Sequence, residues 1–338
     1  MRVDVSTLFG KIIKGDRVAL GQALTLVESE RHDDRIDSIQ LLELCHQHLS
    51  TRNKSFRFTI SGSPGVGKST LIEQLGLKAI EEGHKVGVIT IDPTSSISQG
   101  SILGDKSRMT NLSLSPSAFV RSSSAGSLLG GIGRRSFEMM FLLESIGFDI
   151  ILLETVGVGQ SEHIAWKLTD GFVLVLQPGG GDELQGIKRG ITELADIIVI
   201  NKSDGSLLEA SKISKSHYQN AVHYLTPLRE NWQPKILMVS ALEGNGMHEF
   251  WDVLRLYMDS MAKTDQFDIE RNRQNQFWLS WSLGITAHQL LLNHPTIQQK
   301  LNDGLSHIEN HSASMFKAEY DIEEIMKSLI DSTGSNKN

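Results

Sequence analysis

The sequence predicts an α/β fold: a parallel sheet flanked by helices, with helical extensions at both ends. Three observations carry this expectation. Short apolar runs recur through the middle of the chain, namely FRFTIS (56–61), VGVITI (86–91), DIILLE (149–154), FVLVL (172–176), DIIVI (196–200) and KILMV (235–239). Stretches long enough for crossover helices separate several of them, which is the pattern of parallel pairing. Most of the runs are apolar throughout rather than alternating, as strands covered on both faces are.

The elements follow in order. Residues 1–50 form a helical segment, because LGQALTLVESE and SIQLLELCHQHL space their apolar residues at helical intervals. Residues 51–258 hold the strands and their crossovers. Within them the Ser/Gly-rich stretch Ser122–Gly133 reads as a loop inside the α/β zone, because strands continue after it. Residues 259–338 are helical again. FDIERNRQNQFWLSWSLGITAHQLLL carries Phe267, Phe277, Trp278 and Trp281, and the tail STGSNKN should fray. A long helix outside the sheet needs a cover for its apolar face. The stripe near Trp278 and Trp281 is therefore expected to pack across a dimer interface.

The 338 residues suffice for a large core and about two domains of ~150 residues. Apolar residues at 39% and charged residues at 22% exclude a disordered or fibrous chain. A net charge of −7 argues against a nucleic-acid binder. The single cysteine, Cys45, excludes an intrachain disulfide framework. MRVDVSTLFGKIIKGD lacks the apolar core of a signal peptide, and no run approaches the roughly 20 residues of a membrane helix. The expected location is cytoplasmic.

FRFTIS leads into Gly62-Ser63-Pro64-Gly65-Val66-Gly67-Lys68-Ser69-Thr70 and then a helical pattern. This is G-x-x-x-x-G-K-[ST] between a strand and a helix, the context that a phosphate loop requires. Glycines let backbone N–H groups curl around a β-phosphate, and the helix N-terminus adds partial positive charge. Lys68 would reach the β- and γ-phosphates, and the Ser69 hydroxyl would ligate Mg²⁺.

Asn201-Lys202-Ser203-Asp204 follows directly on DIIVI. In this arrangement the Asp204 carboxylate accepts from guanine N1–H and the N2 amine, neither of which adenine offers. Rejection of the wrong base is on the order of 10⁴-fold in such sites. Asn201 would tie the loop together and the Lys202 stem would lie along the base. Ser240-Ala241-Leu242 would present backbone N–H groups to guanine O6. GTP and GDP are therefore the expected ligands, in preference to ATP.

Asp92 ends VGVITI and Glu154 ends DIILLE, at strand ends where such sheets place ligand chemistry. Both carboxylates are candidates to hold Mg²⁺, directly or through water. Glu154-Thr155-Val156-Gly157 stands where Asp-x-x-Gly is usual, so the Gly157 N–H would sense the γ-phosphate. The next position is Val158 rather than a water-orienting glutamine, and Gln160 is out of register. Slow intrinsic hydrolysis is expected, accelerated by a partner or another residue.

Ile91-Asp92-Pro93-Thr94-Ser95, the Gly100–Met109 segment GSILGDKSRM, the Glu154–Glu162 segment ETVGVGQSE and Asn201–Asp204 together resemble the methylmalonyl-CoA mutase-associated GTPases, SIMIBI-class P-loop proteins. The likeness extends from Gln22–Ser29 to Arg271 and the Gln276-Phe277-Trp278 arm. It implies a homodimeric GTPase that chaperones an adenosylcobalamin-dependent acyl-CoA mutase, gating cofactor loading and protecting or reactivating the mutase. It also implies roles for particular residues. Asp92 and Glu154 handle Mg²⁺ and water, and Asp105 and Arg108 lie in the first switch. Gln177–Lys188 forms a loop beside the nucleotide, with Asp182 and Lys188 suited to partner-linked catalysis. The family's prolines are absent from Arg121–Gly131, and the match loosens after residue 300.

Two other readings stay open. Cys45 and His48 share a helical face, as a nickel-inserting metallochaperone GTPase would use, although adjacent His46 and Gln47 point elsewhere. A transport-linked kinase would need a phosphate acceptor, and no acceptor site is visible. His307 and His311 lie one helical turn apart and read as a solvated face.

Overall fold

The computed structural model describes residues 4–49, 54–92, 108–124, 134–155, 161–179, 190–224, 226–229, 232–310, 312 and 314–334. The chain divides into two compact units, Met1–Phe277 and Trp278–Asn338. The first is built on seven strands: β1 (Phe56–Ser61), β2 (Val86–Asp92), β3 (Ala118–Ser124), β4 (Ile150–Glu154), β5 (Gly171–Leu176), β6 (Ile197–Ile200) and β7 (Lys235–Met238). Their spatial order is β3-β2-β4-β1-β5-β6-β7, and every neighbouring pair is parallel. The chain works outward from β1 to β3, returns through β4, and then works outward the other way to β7. Sheets wound in this way bind ligands beyond the carboxyl ends of the strands, near the reversal.

Six of the seven strands match the apolar runs. β3 is the addition, and it takes in Ser122–Ser124, which the sequence reads as loop; residues 125–133 lie outside the described residues. Its sequence AFVRSSS has no continuous apolar run: Ala118, Val120 and Ser123 are buried, while Phe119, Arg121 and Ser122 are half-buried. Arg121 Nη2 leaves the strand to donate to Glu28 Oε2 at 2.7 Å and to Thr25 Oγ1 at 3.3 Å.

Helices α1 (Val5–Ile12), α2 (Arg17–Glu28) and α3 (His32–Leu49) precede the sheet. Asp16 caps α2, its Oδ1 accepting from Val18 N at 2.9 Å and Ala19 N at 3.0 Å. The later helices of this unit are α4 (Lys68–Glu81), α5 (Thr110–Leu114), α6 (Arg134–Ser145), α7 (Ser161–Leu168), α8 (Leu208–His223) and α9 (Met247–Ala262). α2 and α3 pack on α6. Strand residues alternate between two covered faces. Val173 and Val175 join Leu71 and Leu75 of α4 and Phe250 and Leu254 of α9, whereas Phe172 and Leu174 join Ile198, Ile200 and Tyr218 of α8. Each fully buried Leu, Ile or Phe contributes about 1.5–3 kcal/mol.

Helix α10 (Gln266–Leu292) begins in the first unit. Phe267, upstream of the stripe near Trp278 and Trp281, belongs to the sheet's core. It is buried, with its ring centroid 5.1 Å from that of Phe56. The second unit holds the rest of α10 together with α11 (Pro295–Glu309) and α12 (Met315–Gly334). α11 packs on α12. Leu283, Leu290, Phe316 and Tyr320 of this unit are exposed. Among the described residues no helix is long and apolar enough to cross a membrane.

Candidate functional site

The strand β1 is buried along its whole length and delivers the chain to Gly62 at the carboxyl edge of the sheet. Two positions there admit only glycine. Gly62 has φ +152°, and a Cβ on it would overlap the carbonyl oxygen of Val175. Gly67 has φ +95°, and a Cβ would stand 2.5 Å from Asn201 Nδ2. Gly67 is also the N-cap of α4, so the first N–H groups of that helix open into the loop Gly62–Gly67.

Lys68 is buried, and its Nζ donates to the carbonyls of Gly62 at 2.7 Å and Ser63 at 3.2 Å. Burial pushes its ammonium down, opposed by the carboxylates of Glu154 and Glu162, while the charge of exposed Arg108 adds to the lowering. Ser69 Oγ donates to Glu154 Oε1 at 3.0 Å. Val66 is buried beneath the loop, and Thr70 continues the first turn of α4. Pro64 is exposed at the loop's tip. Asp92 ends β2 two residues beyond Thr90, which lies opposite Glu154 in register. Its side chain lies outside the described residues, as do Asp105, Gly157, Gln160, Asp182 and Lys188.

Asn201 is the hinge between loops. Its Nδ2 donates to Val66 O at 2.9 Å, and its Oδ1 accepts from Ala241 N at 3.0 Å. One buried amide therefore joins the loop after β1, the loop after β6 and the loop after β7. Lys202 is the one non-glycine residue at positive φ among those described, at +60°. Its Nζ donates to Gly65 O at 2.8 Å and Gln177 Oε1 at 3.0 Å. Ser203 N donates to Val239 O at 2.9 Å, and Asp204 then leads into a short 3₁₀ turn over Gly205–Leu207 with its side chain half-buried. Ser240 and Ala241 are buried and Leu242 is exposed. Ser240 N donates to Asn245 O and Ser240 Oγ accepts from Glu243 N.

The site thus combines a glycine loop at a helix N-terminus with a buried ammonium, a hydroxyl–carboxylate pair, and a second loop cluster that carries the half-buried Asp204 carboxylate. The model of the family described as Methylmalonyl Co-A mutase-associated GTPase MeaB matches residues 20–294. The chain belongs to the MeaB family. It is a GTPase, as that family is. It is 42% identical over 281 residues to a putative GTPase of Caulobacter vibrioides, covering 83% of this chain and 85% of that one. It is 41% identical to the mitochondrial methylmalonic aciduria type A homolog of Mus musculus, covering 88% of this chain and 73% of the relative. A crystal structure of LAO/AO transport system kinase superposes with TM-score 0.72 at 29% identity, covering 96% of this chain and 97% of that one.

Two residues of this MeaB-family site escape a motif reading. Glu162 is buried in the first turn of α7, and its charge reaches Lys68. An acidic residue in the ETVGVGQSE segment, at the opening of a helical pattern, is the sequence signal for it. Gln177 opens the Gln177–Lys188 segment that the resemblance places beside the nucleotide, but its contact with Lys202 arises only because β5 and β6 are neighbours.

The remaining candidates lie elsewhere. Cys45 is buried on α3, and burial pushes its thiol up to about 11 against a hydrogen bond to Ser145. The thiolate is the metal-binding form, so this environment disfavours metal there. The ring of His48 stands edge-on to Phe9, with centroids 5.9 Å apart. His307 Nδ1 pairs with Ser312 Oγ at 2.9 Å, and His311 lies outside the described residues. No group of three or more His, Cys, Asp or Glu that could hold a metal occurs among the described residues.

Proposed function

We propose that the protein is a Mg²⁺-dependent GTPase that acts as a chaperone of an adenosylcobalamin-dependent acyl-CoA mutase, with methylmalonyl-CoA mutase as the first candidate. In that role it would gate cofactor loading and protect or reactivate the mutase. The carrying observation is the Asn201 amide that holds the phosphate loop and the base loop together. The mutase partner is supported by the description of the family and by the name of the mouse relative.

The residues divide the work as follows. The N–H groups of Gly65–Ser69 take the phosphates. Lys68 transfers its donors from the Gly62 and Ser63 carbonyls to the β- and γ-phosphates. Asp204 accepts from guanine N1–H and N2, and the Lys202 stem lies along the base. The Ser240 and Ala241 N–H groups already bond Asn245 O and Asn201 Oδ1, so the contact to guanine O6 falls to the Leu242 N–H. The Ser69 hydroxyl and the Glu154 carboxylate, 3.0 Å apart, are hard oxygen donors that suit Mg²⁺, with Asp92 on the adjacent strand end. When bound, the ion would neutralise charge on the phosphate oxygens. Arg108, close enough for its charge to act on Lys68, would stabilise negative charge in the transition state, with Asp105 and Lys188 as further candidates for switch and partner-linked roles. A second copy of the chain on the apolar face of the C-terminal helices would complete a homodimer.

GTP turnover by the purified protein, alone and with a cobalamin-dependent mutase from the same source, tests this reading. Slow turnover that the mutase accelerates is the expected result. Turnover indifferent to the mutase overturns the partner and leaves the GTPase.

A further inference from the structure

The end of β5 touches both halves of the site. The Val175 carbonyl fills the slot beside Gly62 where a Cβ would otherwise sit, and Leu176 O accepts from Asn201 N at 2.8 Å. The next residue, Gln177, accepts from the Lys202 ammonium at 3.0 Å, while the same ammonium donates to Gly65 O at 2.8 Å. Lys202 therefore spans from the base loop to the phosphate loop, and Gln177 fixes its far end. The lysine also holds a left-handed backbone conformation at φ +60°, which costs free energy for a side chain with a Cβ. A long, flexible side chain on such a backbone has many rotamers, and two acceptors on different loops select one of them.

We infer that Gln177 is a positioning residue for guanine nucleotide binding. It holds the Lys202 ammonium against the phosphate loop, so that the lysine stem forms one wall of the base pocket, and it thereby sets how fast nucleotide is released. The inference rests on Asn201–Asp204 being the base-reading loop. Gln177 touches neither base nor phosphate in this account; its whole effect passes through Lys202. The neutral amide also sets the strength of the hold. A carboxylate at 177 would bind the ammonium more tightly, because charge-assisted hydrogen bonds are roughly twice as strong as neutral ones.

The test is the rate of release of a fluorescent GDP analogue from the full chain, with steady-state GTP turnover beside it. Gln177→Ala is expected to speed release by about three- to tenfold, the scale of one partly solvated hydrogen bond, and to raise KM for GTP by a larger factor than it lowers kcat. Gln177→Glu is expected to slow release below that of the unaltered protein. Lys202→Met keeps the stem and removes the ammonium, and in that background Gln177→Ala should add nothing. An undiminished effect of Gln177→Ala in the Lys202→Met background overturns the inference, as does faster release with Gln177→Glu. Asp204→Asn separates the underlying assignment: a preference for GTP over xanthosine triphosphate that survives it shows that the base loop itself was misplaced.

Discussion

The two edges of the central sheet are built from different materials. At the carboxyl edge stand glycines at positive φ, backbone N–H groups, hydroxyls and one buried ammonium held by carbonyls. At the amino edge stand buried ion pairs. Arg57 of β1 pairs with Glu144 of α6, and Arg271 of α10 donates to Glu144 Oε1 at 2.6 Å and to Asp170 Oδ2 at 2.9 Å. Gln274 Nε2 completes the set by donating to Asp170 Oδ1 at 2.8 Å. A neighbouring cluster joins Arg229 to Asp196 and Glu270. Three aspartates repeat one device along this edge. Asp149, Asp170 and Asp196 each precede a strand and accept from Lys85 N, Arg57 N and Phe172 N beside them, at 2.8–2.9 Å. Each satisfies a backbone donor at the point where the parallel ladder begins.

The contrast assigns different tasks to the edges. Backbone N–H groups at a glycine loop, with the buried Lys68 ammonium beside them, suit a ligand's negative charge. A closed set of two arginines and two carboxylates is already neutral and has no need of a ligand. It also fastens the first turns of α10 to the sheet, with Arg271 donating to Ser55 O and Arg271 and Gln274 donating to Asp170.

The sharpest way to break the comparison is at Arg271. Arg271→Ala leaves Glu144 and Asp170 buried with less countercharge, and should cost about 3–5 kcal/mol of stability in chemical denaturation. A loss below about 1 kcal/mol, the scale of a surface pair, would show that the amino edge is not the stabilising one. Lys68→Ala should do the reverse. GTP turnover should fall by about 10²–10³-fold while the unfolding midpoint barely moves. A parallel loss of stability would mean that the loop's carbonyls depend on the lysine as much as the nucleotide does.

The smallest effect is in pH dependence. Burial would raise the Glu144 carboxyl, but Arg271 and Arg57 outweigh it and hold it below its ordinary value of 4.5. The unfolded chain therefore binds this proton more readily than the folded one. The stabilisation is complete above about 4.5 and is lost as pH falls through the lower folded value. Urea midpoints measured across the acid range should fall towards low pH in the unaltered protein, with a shallower slope in Glu144→Gln. Equal slopes would remove Glu144 as an acid-labile element.

Much of the carboxyl edge was legible in the sequence. Gly62–Ser69 and Asn201–Asp204 are contiguous stretches whose spacing is itself the chemistry, and they sit on strand ends that apolar runs locate. β3 is not legible because its second half, Arg121–Ser124, is polar and reads as loop. The amino edge was not legible. Arg57, Glu144, Asp170 and Arg271 are far apart along the chain, and each alone reads as a solvated charge. Asp149 and Asp196 stand visibly at the head of DIILLE and DIIVI, but an aspartate at the entry to a strand gives no indication of which neighbouring N–H it will accept from.

The sequence by itself determined six of the seven strands, the Gly62–Ser69 and Asn201–Asp204 motifs and the family, because each of these is written in neighbouring residues with a fixed period or spacing. Only the tertiary structure decided that Asn201 ties three loops together, that Gln177 holds Lys202, and that four scattered charges close into one buried network. Those contacts depend on which strands lie side by side. Strand order is set by packing of the whole chain, so no local stretch of sequence carries it.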